Sequence, residues 1–377
     1  IIVSLVGSEM CIRDRVYYPR LAPGQYLGVT QENSKGVWTW GEALHQGDSE
    51  LKQVTMPVRG GVTTPTRKWS FHDAYCGIGG LSRGMQLGGG VCTGAFDRDA
   101  DARRVYDERT GTKSDGAWGS FDHTTWPQAD VLVSAPPCED HDHFLGQNPD
   151  RQMWQHLELV RTFKYKIVIL ETLLHFKRMQ NGMVFRSLVA ELNMLGYDVR
   201  CNMLFAPNFG AVAARRRMYM FCTRRGGEVS HTTLRFPKGD TDRHPLRSIL
   251  EPEFFRRGVR LRKQELDMFD APRQRTRNCL TQLGNVHGDG DGRAIYSVHG
   301  LAASQMATGR GPGWVSGLYM VNGKPSRLTI REGARALQIS DHLHLGEVDA
   351  TAARHIGNTT AVGLARAIGV EVERALA

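Results

Sequence analysis

The sequence predicts an α/β protein: a large domain built on a mainly parallel, doubly wound sheet, and a second, smaller, irregular domain. Three observations carry this reading. Short apolar runs alternate with helix-compatible stretches between Trp69 and Cys222. A Gly-rich turn, Cys76-Gly77-Ile78-Gly79-Gly80, joins the first run to the first helical stretch, as in the opening of a nucleotide-binding unit. From about Gly226 to Asn322 the texture changes to Arg, Gly, Asp and His, with turns such as Asp289-Gly290-Asp291-Gly292.

The elements follow in order. Ser4–Arg15 resembles a translated sequencing adapter, so residues 1–15 are read as a non-native leader. Residues 16–67 lack sustained periodicity and read as a loose extension. Strands are expected at Trp69–Tyr75, Val91–Phe96, Asp130–Ser134, Ile167–Leu170 and Met218–Cys222. Helices are expected at Leu81–Leu87, Asp99–Glu108, Met153–Phe163 and Phe185–Leu195, and helical spacing returns at Arg331–Leu337 and Gly363–Leu376. The large domain is thus read as 68–225 plus 325–377, and the small one as 226–324.

Composition narrows the function classes. The 377-residue chain is 41% hydrophobic, enough for a packed core, which excludes global disorder. No run is apolar and long enough to span a membrane. A net charge of +9 suits a polyanion partner without specifying a fold. The seven cysteines are widely spaced and contain no C-x-x-C, which argues against a disulfide framework or structural zinc and for a reducing cytoplasm.

Four local features carry chemistry. Gly77-Ile78-Gly79 would need glycine at position 82 to complete a dinucleotide fingerprint, and Ser82 stands there. Asp97 is placed for a ribose, so the turn suits a nucleoside-bearing cofactor without pyrophosphate, or is an ordinary tight turn. Pro136-Pro137-Cys138 follows a buried strand, putting the thiol on a rigid loop at the ligand-binding edge of the sheet or burying it as a structural cysteine. Glu171 ends the apolar run Val168-Ile169-Leu170, where a carboxylate is costly without a partner, so it caps, pairs or works. Arg215 and Arg217 share one face of an incipient strand and suit a phosphate or base edge, or form a solvated basic run.

Taken in order, these pieces resemble the DNA cytosine-5 methyltransferase family from about Trp69 to the C-terminus. Phe71-x-Asp73-Ala74-Tyr75-Cys76-Gly77-Ile78-Gly79-Gly80 resembles its S-adenosylmethionine loop, and Pro136-Pro137-Cys138 its nucleophile motif. Glu171 falls on the glutamate of Glu-Asn-Val, and Phe209-Gly210 with Arg215-x-Arg217 on the Gln-x-Arg-x-Arg region. Arg327-Leu328-Thr329-x-Arg331-Glu332-x-Ala334-Arg335 and Gly357-Asn358-Thr359 resemble its two C-terminal motifs. Ala294–Ser297 and Tyr319–Lys324 resemble the target-recognition region of its small bacterial members.

The resemblance implies a Rossmann-like S-adenosylmethionine-dependent methyltransferase sheet with a small target-recognition domain. It implies double-stranded DNA as substrate, a monomer on DNA, and no metal or membrane. Cys138 would attack C6 of a flipped-out cytosine, Glu171 would hold the N3 and amino edge, and Arg215 and Arg217 would fix the O2 edge. Tyr75, Cys76, Gly77, Ile78, Gly79, Gly80, Asp97, Arg98, Ser120, Pro137, Asn358 and Thr359 would surround the cofactor. Asp291, Arg293, Ser304 and Arg310 are candidate DNA contacts.

Three stretches depart from the family pattern. Glu139-Asp140-His141-Asp142-His143 replaces a Gln-x-Phe-Ser continuation, Thr172-Leu173 replaces Asn-Val, and Ala213 replaces the glutamine before the arginines. An inactive DNA- or cofactor-binding relative and an RNA cytosine-5 methyltransferase are the alternative readings of the same residues.

Overall fold

The computed structural model describes residues 69–136, 155–253, 255–256, 279–286, 293–307, 317–345 and 349–377 in full, and the backbone of further short strands and of 150–154. Four of those strands precede the large domain. β1 (Arg15–Tyr17), β2 (Val29–Glu32), β3 (Trp38–Gly41) and β4 (Gln53–Met56) pair antiparallel in sequence order, within the segment read from sequence as leader and loose extension.

The large domain is a six-stranded sheet of β5 (Trp69–Ala74), β6 (Gly90–Phe96), β7 (Val131–Ser134), β8 (Ile167–Thr172), β9 (Tyr197–Phe205) and β10 (Arg216–Arg224). Their order is β6-β5-β7-β8-β10-β9. The first four are parallel, and β10 runs antiparallel to both β8 and β9. β7 and β8 are buried at every position, the pattern of strands covered on both faces.

Helices cover both sides. α1 (Gly80–Leu87), α2 (Ala100–Thr110) and the C-terminal α7 (Val362–Leu376) pack through Leu81, Met85, Val105, Tyr106, Leu364 and Ile368 against Phe71, Val131 and Ile169. α3 (Asp150–Phe163) and α4 (Met183–Met194) pack through Leu157, Val160, Leu188 and Leu192 against Leu132, Val168 and Met220. The expected doubly wound sheet is what the structure has.

α7 seats on α1 along a glycine stripe. A Cβ on Gly84 would collide with the Cβ of Ala365 and approach the Arg366 nitrogen at 2.7 Å. A Cβ on Gly88 would meet Gly369 at 2.7 Å, and one on Gly80 would strike the Thr359 side chain and the Thr360 carbonyl. Glycine every fourth residue therefore removes side chains from one helix face and lets the C-terminal helix lie directly on it.

A second, mixed sheet comprises β11 (Phe269–Asp270), β13 (Leu280–Val286), β14 (Ala294–Ser297), β15 (Leu318–Val321) and β16 (Lys324–Ser326), with β12 (Arg275–Arg277) paired to β13. The segment after β16 opens α5 (Ile330–Ala336). Thr329 caps that helix and forms a capping box with Glu332. Glu332 is fully buried, and it accepts from Arg256 and from the Glu251 nitrogen at 2.7 Å. Arg335 grips Asp341 at 2.5 Å and donates to the Ile249 carbonyl at 3.2 Å. The Arg-Glu-x-Ala-Arg motif thus holds two parts of the chain together.

Gly84→Leu should lower the unfolding free energy by at least about 1–3 kcal/mol through overpacking of the α1–α7 seam. Thermal unfolding checks it: a clear drop in Tm is expected, and an unchanged Tm would show that α7 does not seat there.

Candidate active site

The site lies at the carboxyl ends of β5, β7 and β8, as an open α/β sheet requires. A cavity of about 830 Å³ opens there, walled by the Gly-rich turn, the ends of β6 and β8, the start of β10, residues 303–307 and the end of α6 (Asp349–Asn358).

One side of the cavity is built around Asp97. Tyr75 leaves β5 with φ +60, and Gly77 follows with φ +52. This left-handed turn brings the Gly77 nitrogen to 2.8 Å from Asp97, which also accepts from the Asp99 nitrogen at 2.9 Å. Burial raises the Asp97 pKa against the pull of these two donors. Tyr75, Ile78, Phe96 and Trp118 give this side an aromatic and apolar wall, with the Phe96 and Trp118 rings 5.3 Å apart. The Tyr75 hydroxyl donates to Gln155 at 3.0 Å.

Asp99 closes the rim. It caps α2 by accepting from the Asp101 and Ala102 nitrogens, and it meets Arg354 at 2.8 Å and His355 at 3.0 Å. Burial opposes its ionisation, but the hydrogen bonds from His355 and Ala102 outweigh that and lower its pKa. Helices α2 and α6 are thereby joined across the mouth.

The other side is built around Glu171. β10 pairs Tyr219 with Glu171, so alternation puts Arg217 and Tyr219 on the same face as the carboxylate. Arg217 Nε lies 3.6 Å from Glu171 Oε1, and Thr360 Oγ1 donates to Oε2. Glu171 is only 6% exposed, so these contacts act in a largely dry environment. Burial first, and the Glu171 charge second, keep the Tyr219 hydroxyl protonated.

The two arginines differ. Arg217 stays half-buried beside Glu171, whereas Arg215 is buried and donates to the Gly357 carbonyl at 2.9 Å and the Gln305 carbonyl at 3.4 Å. Arg215 therefore ties the C-terminal segment to residues 301–307, where Ala302 forms an isolated bridge with Ala213. Gly357 permits the approach, since a Cβ there would strike the backbone of Met306 and Ala307.

The remaining sequence candidates fall as follows. Arg98 is exposed on the cavity wall, and Asn358 and Ser304 line it. Cys76 is buried, with burial raising its thiol pKa, and contributes backbone to the turn through its carbonyl. Gly79 caps α1 at φ +78, and Gly80 and Thr359 form the seam behind the cavity. Ser120 turns away to the Ala117 carbonyl at 2.6 Å, while Trp118 takes the place on the wall. Arg293 is half-buried at the entry to β14 and accepts from the Val286 nitrogen at 2.8 Å. Pro137, Cys138, Asp291 and Arg310 lie outside the described residues, as do His141 and His143. Among the described residues no group of three His, Cys, Asp or Glu could hold a metal, and no helix is long and apolar enough to cross a membrane.

Trp118, Gln155, His355 and Thr360 were not legible as site residues. Trp118 sits in a short irregular stretch without periodicity, and Thr360 is one residue past the Gly357-Asn358-Thr359 motif. Ser82, by contrast, now has a reason: it donates to the buried Asp73 at 2.5 Å and meets the Tyr106 hydroxyl at 2.8 Å. The third glycine of a dinucleotide fingerprint would leave Asp73 without that donor.

Sheet order, helices on both faces and a cavity at the carboxyl edge define a Rossmann-like methyltransferase. The chain belongs to the C-5 cytosine-specific DNA methylase family, whose model matches residues 69–374. It is 25% identical over 311 residues to the Type II methyltransferase M.HhaI of Haemophilus parahaemolyticus, covering 81% of this chain and 94% of that one. It is 28% identical to M.NgoBI of Neisseria gonorrhoeae over 48% of this chain and 56% of that one. Its fold matches the Dnmt2 methyltransferase of S. pombe with TM-score 0.59 at 14% identity, covering 82% and 98% of the two chains. A prophage-encoded modification methyltransferase of E. coli matches with TM-score 0.57, also at 14% identity, covering 82% and 99%.

Burial raises the Asp73 pKa from 3.8 to about 7, so its protonated form favours the fold. That contribution is complete below the unfolded value and is lost as pH rises toward 7. Asp73→Asn should therefore gain stability relative to wild type between about pH 4 and about pH 7, by up to roughly 1.4 kcal/mol per pH unit within that window. Denaturant titrations at the two pH values check this; a constant difference would contradict the shift.

Proposed function

We propose that the chain methylates C5 of a cytosine flipped out of double-stranded DNA, acting as a monomer through a covalent adduct between Cys138 and cytosine C6. The observation that supports this most is the convergence of Glu171 and Arg217 with Asp97 and the aromatic wall in one cavity. The paired stations suit a pyrimidine edge on one side and a nucleoside on the other.

The cofactor side fits S-adenosylmethionine. Trp118, backed by the buried Phe96 ring, offers flat apolar surface to a purine, and Asp97, just past the end of β6, offers a carboxylate to ribose hydroxyls. Gly80, at the start of α1, is packed against Thr359 and Thr360, which disfavours a pyrophosphate at that helix end. S-adenosylmethionine, when bound, supplies the methyl group.

The chain's own residues then divide the work. The Cys138 thiolate adds to C6, which makes C5 nucleophilic. Glu171 holds N3 and the exocyclic amino group, and a proton shared with N3 offsets the charge that develops on the ring. Arg217 lies where it can meet the O2 edge or the adjacent backbone. Arg215 positions the two segments that close the cavity. After methyl transfer a base takes the C5 proton, the C6–S bond breaks, and the thiolate is restored. The small domain, residues 226–324, is read as the target-recognition domain, with Arg293, Ser304, Asp291 and Arg310 toward the DNA. Basic side chains against phosphate supply affinity that falls with salt.

Duplexes carrying 5-fluorocytosine test the reading, because fluorine at C5 blocks the final elimination. With S-adenosylmethionine, wild type should form a denaturant-resistant complex on duplex DNA that Cys138→Ala does not form. Glu171→Gln should reduce turnover by roughly 100-fold or more. Adduct formed by Cys138→Ala would refute the nucleophile, and adduct on RNA but not DNA would favour the RNA reading.

A further inference from the structure

We infer that Thr360 is a positioning residue: it holds and orients the Glu171 carboxylate for the pyrimidine. The inference rests on the reading of Glu171 given above and adds a residue of the C-terminal segment to it.

Glu171 is the second-last residue of β8, a strand buried at every position. An ionised carboxylate there needs donors. Thr360 Oγ1 donates to Oε2, while Arg217 Nε stands 3.6 Å from Oε1. Thr360 is 4% exposed and Glu171 6%, so water does not compete well for this bond. With Oε2 engaged from behind, the carboxylate is fixed about its last torsion, and Oε1 is left on the side of Arg217. A free carboxylate would swivel between orientations, and only one presents its oxygens to N3 and the amino group together.

The donor is itself held firmly. The Thr359 nitrogen donates to the Ile356 carbonyl at 3.3 Å, and the Val362 nitrogen to the Leu337 carbonyl at 3.2 Å, on either side of Thr360. The Thr360 carbonyl rests where Gly80 has no side chain. The neighbour of Glu171 along β8 does not serve instead. Thr172 stands where the family motif has asparagine, and its hydroxyl is buried without a hydrogen bond among the described residues. Thr360, 189 positions away in sequence, supplies the local order that the next residue does not.

The test compares wild type with Thr360→Val, Thr360→Ser, Glu171→Gln and the double variant Thr360→Val/Glu171→Gln. Turnover of duplex DNA and KM are measured, with S-adenosylmethionine affinity measured separately by calorimetry. Thr360→Val removes the hydroxyl while keeping the side-chain shape. It should lower kcat roughly 10- to 100-fold, the scale of one hydrogen bond to a charged group, with KM for DNA and cofactor affinity unchanged. Thr360→Ser should restore kcat, and the double variant should be no slower than Glu171→Gln. Wild-type kcat in Thr360→Val with a crippled Glu171→Gln would overturn the positioning role and leave the Glu171 reading intact. Wild-type kcat in Glu171→Gln would overturn both. A serine variant as slow as the valine one, or additive losses in the double variant, would also overturn the inference.

Discussion

The structure depends most on the seam between α1 and α7. Gly80, Gly84 and Gly88 present bare backbone on one helix face, and Ala365 and Gly369 present little more on the other. The C-terminal helix α7 can therefore lie directly on α1. That contact does more than bury Leu364, Ile368 and Val372. It fixes the residues just before α7, so Gly357 meets Arg215, Asn358 lines the cavity and Thr360 reaches Glu171. A side chain on α1 would push the whole segment outward, and the two sides of the cavity would lose their common wall.

Charge placement follows the same logic. Each buried acid here has donors, and they differ in kind. Glu332 has Arg256 and backbone nitrogens, and it ties the start of α5 to residues 251–256. Asp97 has two backbone nitrogens and faces the cavity. Asp73 accepts from Ser82, and burial raises its pKa to about 7. Glu171 has a hydroxyl and a guanidinium at its edge, an arrangement that leaves capacity for a substrate's donors.

Much of the large domain was legible in the sequence because its strands are buried. Val131–Val133 and Ile167–Leu170 are continuous apolar runs, the second followed directly by a carboxylate, and the Gly-rich turn announces itself. β9 was not legible. It is an edge strand, mostly half-buried, and Tyr-Asp-Val-Arg-Cys-Asn alternates too weakly to mark it. The four short strands before Trp69 carry no apolar run either. Within the site, Asp97, Glu171 and Arg217 stood out as charged residues at strand ends. The division between Arg217 and Arg215 did not, because their spacing is the same whether a guanidinium faces the cavity or bonds to Gly357 and Gln305. Thr360 was hidden for a similar reason: a threonine is unremarkable until a fold puts a carboxylate beside it.

The most direct measurement is a structure of the protein trapped on a 5-fluorocytosine duplex. The account predicts an extruded base in the cavity, with Glu171 carboxylate oxygens within about 2.6–3.2 Å of N3 and the exocyclic amino nitrogen. It also predicts the Cys138 sulfur bonded to C6 of that base. A target base still stacked in the helix, or extruded elsewhere with Glu171 facing only Thr360 and Arg217, would contradict it.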